Sequence, residues 1–149
     1  MISFQAQDID FKLRGRRVAA AWLRAVAGEE GRRVGELSVV FTSAAYLLEV
    51  NRKYLKHDYH TDIITFDYVD PLRPDVVSGD LLIDIETVAE NAAGLGITFD
   101  EELRRVMVHG VLHLCGHGDK SATERAAMRA WEDFYLKRFA LMAEKPDKQ

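Results

Sequence analysis

The sequence predicts an α+β fold, a small mixed β-sheet with helices packed mainly on one face. Two kinds of hydrophobic spacing carry that expectation. Short runs alternate apolar and polar residues, and longer runs return apolar residues every three or four positions. A third observation gives one helix a task. His109 and His113 stand four apart, which on a helix sets both imidazoles on one face.

Taken in chain order, Ile2, Phe4 and Ala6 alternate and predict a first strand. Residues from about 14 to 27 follow as a helix, with Val18, Trp22 and Ala25 on one face. Residues 37–42 are rich in strand formers, and Ser43 is placed to cap a helix running to about Tyr54. Residues 62–69 and 80–85 read as two further strands. The connection between them holds Pro71, Pro74 and Gly79 and reads as a loop. In the second of these strands Leu81, Ile83 and Ile85 share one face. Asp80 and Asp84 take the other, where a structural duty is expected.

Thr98-Phe-Asp-Glu101 has capping-box spacing and opens the helix that carries His109 and His113. Ser121-Ala-Thr-Glu124 is a second such box and starts the last helix. There Met128, Trp131, Tyr135, Phe139 and Met142 recur as a core stripe. Pro146 and the polar end predict fraying over residues 144–149.

The 149 residues suit one domain spanning 1–149, and 48% hydrophobic with 30% charged residues is an ordinary globular composition. No apolar run approaches the roughly 20 residues that span a bilayer. The N-terminus lacks the basic and apolar stretches of a signal peptide. The single cysteine, Cys115, excludes an internal disulfide and fits a reducing cytoplasm, with a small buried helix residue as its expected role. A net charge of −4 does not advertise nucleic-acid binding. The charge is uneven, however: residues 1–60 carry +3 and residues 61–149 carry −7. Lys12, Arg14, Arg16 and Arg17, with Arg32 and Arg33, read as solvated faces. Arg52, Lys53 and Lys56 are the better candidates for touching a phosphate backbone.

The metal motif is His109-x3-His113-x2-Gly116-x2-Asp119. Glycine at 116 permits the left-handed turn that ends helices, and a turn there lets Asp119 fold back over the His pair. His117 lies eight residues from His109, about 12 Å along a straight helix, and so makes a poor partner for it. Asp119 could instead cap the last helix, but Ser121 fits that duty better. The spacing is that of zincin-like metalloproteases, and two His with one carboxylate suit a single Zn²⁺ with a free position. Iron and manganese accept the same donors. Zincin proteases place Glu after the first His as general base, whereas this chain has Gly110. That glycine serves either close approach of a substrate or helix–sheet packing.

His109-Gly110-Val111-Leu112-His113-Leu114-Cys115-Gly116 resembles the signature of the YbeY family of bacterial endoribonucleases and ribosomal RNA maturation factors. That signature reads His-Gly-x-Leu-His-Leu-x-Gly-Tyr-Asp-His. Asn51-Arg-Lys-Tyr54 resembles the family's Asn-x-x-Tyr, residues 61–66 its Thr-Asp-Val-Leu-Ser-Phe strand, and Gly79-Asp80-Leu81 its Gly-Asp-Ile strand. The likeness covers roughly residues 35 to 140. This chain departs in having His117 at the family's Tyr, Gly118 at its Asp and Asp119 at its third His. It also has Leu55 where many members carry an Arg thought to act in cleavage.

The resemblance implies a central metal-binding helix and a zinc-dependent, single-strand-specific endoribonuclease. The implied partners are ribosomal RNA precursors and the small ribosomal subunit. Neither DNA nor membrane is expected as a partner. The residues name no catalytic general base. Two rival readings stand beside this one: a small zincin-like metalloprotease, and a non-catalytic ribosome assembly factor stabilised by its metal.

Overall fold

A computed structural model describes residues 1–56 and 60–144. Among these, strand β1 (Ile2–Ala6) leads to helix α1 (Arg16–Glu29), strand β2 (Arg33–Thr42) and helix α2 (Ala44–Tyr54). Strands β3 (Ile63–Asp67) and β4 (Val76–Asp84) follow, then helices α3 (Ile85–Leu95), α4 (Phe99–Leu114) and α5 (Ala122–Glu144). The sheet runs β1-β2-β4-β3. β1, β2 and β4 are parallel, and β3 is an antiparallel edge strand on β4.

Strand alternation divides the core into two layers. Val39, Phe41, Leu81 and Ile83 point into the larger cluster with Trp22, Leu23, Val88, Leu103, Val111 and Tyr135. Val40, Leu82 and Ile64 point the other way, onto Leu47 and Val50 of α2. The mixed α+β sheet expected from the sequence is therefore present, with most helices on one face and α2 alone opposite. No helix among the described residues is long and apolar enough to cross a membrane.

The caps follow the chemistry of their side chains. Ser43 accepts from the Tyr46 amide, Thr98 and Glu101 form the capping box on α4, and Ser121 and Glu124 bond each other's backbone amides before α5. Asp84, buried at the end of β4, accepts from the amides of Glu86 and Thr87. That is the structural duty expected of it, and it opens α3, a helix whose first residue the apolar pattern assigns to the strand.

Three other expectations change. The buried stripe of α1 is Ala19, Trp22, Leu23, Val26 and Ala27, and Ala25 faces out. Trp131 does not join the core of α5. It is 39% exposed, stacked along Tyr135, while Met128 and Tyr135 are buried. Gly79 lies inside β4, not in a loop. A Cβ there would come within 2.2 Å of the Phe66 carbonyl oxygen on the neighbouring strand, so only glycine lets β3 approach. Residues 145–149, most of the expected frayed end, lie outside the described residues, and Glu144 is the last residue of α5.

Gly79→Ala must therefore push β3 away from β4. It is expected to lower stability by about 2 kcal/mol, roughly 4–8 °C in Tm. A thermal scan that finds the variant within a degree of wild type would contradict the close approach.

A candidate metal centre at the end of helix α4

Helix α4 presents Glu102, Arg105, His109 and His113 at intervals of three, four and four residues, one continuous seam. Its opposite face, with Leu103, Met107, Val111 and Leu114, is buried in the larger core. Gly110 packs against Ile63 and Leu81, where a Cβ would meet their side-chain tips at 2.8–3.1 Å. Of its two open roles, helix–sheet packing is the one realised.

The chain then reverses. Gly116 takes φ +101°, the His117 amide donates to the Leu112 carbonyl at 3.0 Å, and the Gly116 amide donates to the His113 carbonyl at 3.0 Å. This paired closure is the Schellman motif, which satisfies the last carbonyls of the helix. Side chains from elsewhere fix the turn. Arg32 donates to the Cys115 carbonyl at 3.1 Å. Glu30 binds the His117 ring at 2.6 Å and accepts from the Tyr135 hydroxyl at 2.6 Å. Burial alone would raise the Glu30 carboxyl, but these two bonds and the nearby charges outweigh it and hold it below the ordinary range. His117 is thus held on Glu30 and is not among the groups that converge on the His pair. On the far side Glu124 accepts from the Lys120 and Ser121 amides.

Pinned at both ends, the turn aims Asp119 back at the helix. One oxygen, Oδ2, lies 3.3 Å from His109 Nε2 and 3.2 Å from His113 Nε2. The three candidate ligand atoms all fall within 4.8 Å of one another. Zinc bonds of about 2.0–2.1 Å in a tetrahedron imply ligand atoms about 3.3–3.4 Å apart, so the two His–Asp separations fit such an ion. The group could hold a metal ion, with room for a non-protein fourth ligand.

The other ring nitrogen of His109 meets Glu132 Oε2 at 2.7 Å. A carboxylate only accepts, so Nδ1 carries the proton and Nε2 keeps its lone pair free. Arg105 in turn holds Glu132 at 2.9 Å and Asp133 at 2.7 Å. Burial would lower the His109 imidazole, but Glu132, then Asp119 and Asp62, keep it above its ordinary value. Glu132 was not singled out in the sequence. The available signal was its spacing, four residues after Met128 and three before Tyr135, which puts a carboxylate on their buried face of α5.

Beside the trio opens a cavity of about 310 Å³. His109 and Asp119 line one side, with Asp62, Glu102, Arg125 and Arg129 around them. Asp62 sits just before β3, and burial pushes its carboxyl up despite the nearby His109. Glu102 is only 6% exposed, and its Oε1 has no hydrogen-bond partner among the described residues. Burial, then the charge of Asp62, raise its carboxyl. Cys115 is packed beneath the turn, and burial pushes its thiol up to about 11, the inert buried residue expected from the sequence.

Arg52, Lys53 and Lys56 are exposed at the C-terminal end of α2 and do not line this cavity. Lys53 lies 5.4 Å over the Tyr54 ring. Residues 57–59 of the adjoining loop lie outside the described residues.

An α+β frame with two histidines on a helix and a carboxylate returned by a glycine turn defines a class: small α+β proteins with a His-His-Asp group that could hold a metal ion. The particular family follows from comparison. The family model described as Endoribonuclease YbeY matches residues 1–140, and the chain belongs to that family. An Endoribonuclease YbeY of Phocaeicola vulgatus is 46% identical over 133 residues, covering 89% of this chain and 94% of the relative. One from Flavobacterium psychrophilum is 45% identical over 139 residues, 93% of this chain and 96% of the relative. Among solved structures, a Thermotoga maritima protein determined in solution superposes with TM-score 0.61 at 21% identity, covering 100% of this chain and 99% of its own. That likeness is one of fold.

Glu102 supplies a pH test. Its raised pKa means that the folded state holds the proton more tightly than the unfolded chain does. The resulting stabilisation is full below the unfolded pKa and is lost as pH rises through the folded one. Glu102→Gln, which cannot ionise, is expected to match wild type near pH 4 and to melt a few degrees higher at pH 8. An equal difference at both pH values would contradict the burial argument.

Proposed function

We propose that this chain is a zinc-dependent endoribonuclease that cuts single-stranded RNA and takes part in ribosomal RNA maturation in the cytoplasm, in association with the small ribosomal subunit. The observation that carries the reading is the convergence of His109, His113 and Asp119, with both His–Asp separations near those of a tetrahedral zinc site, in a chain that belongs to the Endoribonuclease YbeY family. We take residues 1–149 as one hydrolase domain around that centre.

In this reading His109, His113 and Asp119 hold one zinc ion. When bound, zinc supplies a Lewis acid for a phosphoryl oxygen and lowers the pKa of a water ligand to about 7. The chain's own residues set up that chemistry. Glu132 fixes the His109 tautomer and ring direction, and Arg105 fixes Glu132. To Asp62, which lines the cavity, we assign the role of proton acceptor for an attacking hydroxyl. Arg52, Lys53 and Lys56 are assigned to a more distant stretch of the RNA backbone. A zincin-like peptidase reading loses ground, because position 110 is packed against Ile63 and Leu81 and offers no place for its general base.

Elemental analysis of purified wild type is expected to find about one zinc per chain, and Asp119→Ala most of it lost. Cleavage of a single-stranded oligoribonucleotide should stop on chelation and in His113→Ala. Equal rates in His113→Ala would assign the activity elsewhere, and metal-loaded wild type that binds the ribosome but cuts nothing would favour the non-catalytic assembly role. Glu132→Gln keeps the three ligands but weakens their orientation, so zinc affinity measured by competition with a chelator should fall about 10–100-fold.

A further inference from the structure

His109 and Asp119 of the candidate metal group line the cavity, and an arginine pair on α5 shares it. Arg125 and Arg129 are four residues apart, hence one turn apart on the same face, and both line the cavity with His109 and Asp119. Arg125 donates to the Lys120 carbonyl at 2.6 Å, which anchors its guanidinium beside the turn that carries Asp119. That bond takes one of five N–H donors. Arg129 is charge-coupled to Glu102 and makes no hydrogen bond or close ion pair among the described residues.

The third arginine of the cavity is already committed, since Arg105 is divided between Glu132 and Asp133. Two of the four carboxylates that line the cavity are held by other partners: Glu132 is engaged by His109 and Arg105, and Asp119 is turned onto the two imidazoles. Of the other two, Asp62 and Glu102, only Glu102 is charge-coupled to Arg129, and it makes no close ion pair with it. An anion entering beside the trio would therefore meet two guanidinium groups with donors to spare. Guanidinium forks match the paired oxygens of a phosphodiester.

We propose that Arg125 and Arg129 form the phosphate clamp of this site, gripping the RNA backbone next to the bond held at the metal. The inference rests on the endoribonuclease reading and adds to it the residues that bind the substrate at the centre.

The test uses zinc-loaded full-length protein and a single-stranded 2′-O-methyl oligoribonucleotide, whose 2′ oxygens cannot attack and whose integrity after binding is checked on a gel. Wild type, Arg125→Ala, Arg129→Ala, Arg129→Lys and the double alanine variant are compared for affinity at several salt concentrations. Zinc content and Tm of each variant show whether the fold and metal site persist. The double variant should bind at least about tenfold more weakly. Its plot of log affinity against log salt should be shallower by about 0.7 for each phosphate that is no longer neutralised. Arg129→Lys, which keeps the charge without the fork, should fall between. Unchanged affinity and slope in the double variant, while wild type still cleaves RNA, would overturn the clamp alone. Wild type that neither binds nor cleaves RNA would overturn the endoribonuclease reading and the clamp with it.

Discussion

The reversal at Gly116 is the constraint on which the candidate centre depends. Two histidines one turn apart are easily supplied by any helix, but a third donor at the same point requires the chain to leave the helix and return within six residues. Only a residue tolerant of φ near +100° allows that path. Backbone closure alone would leave the turn free to swing. Glu30 and Arg32 from the turn after α1, with Tyr135 of α5, tie it to the body of the protein. The distance between Asp119 and the imidazoles is thus set by tertiary packing far from the motif itself.

The same logic explains the charged groups buried around α4. Burying a carboxylate is costly unless it is paired, and Glu132 is paired twice, by His109 and by Arg105. Its 5% exposure is compatible with charge because of those two partners. Glu102, one seam position before Arg105, has no such arrangement, and its carboxyl is displaced toward the neutral form. A stable core packed against the other face of α4 carries this polar seam. The buried Leu103, Met107, Val111 and Leu114 hold the helix whether or not every seam residue is satisfied.

Much of this was legible in the sequence, for local reasons. The capping boxes at Thr98 and Ser121, the Ser43 cap and the metal spacing each involve residues within a few positions of one another, so the pattern and the geometry coincide. What was not legible depended on distant partners. Gly79 looked like loop punctuation because its need arises from the Phe66 carbonyl of another strand. Helix α3 was hidden because Asp84 ends a strand and caps a helix at once. Trp131 fitted an apolar stripe, yet of that stripe only Met128 and Tyr135 are buried. Glu132, Arg125 and Arg129 belong to no motif. They join the centre because α5 folds back along α4, a fact of packing that spacing alone does not encode.

Charge settles how such a centre would meet a polyanion. The chain carries −4 overall and −7 over residues 61–149, so its long-range field repels RNA. Screening confines that field to about 8 Å at physiological ionic strength. Recognition must then be short-range: a divalent ion, guanidinium groups already positioned in the cavity, and the cations of α2 farther along. A site of this kind gains little from electrostatic steering and depends on interactions made after docking. In the proposed reading it would discriminate by fit to an exposed, flexible strand that can enter the cavity beside His109, which a duplex held rigid by its own pairing cannot readily do.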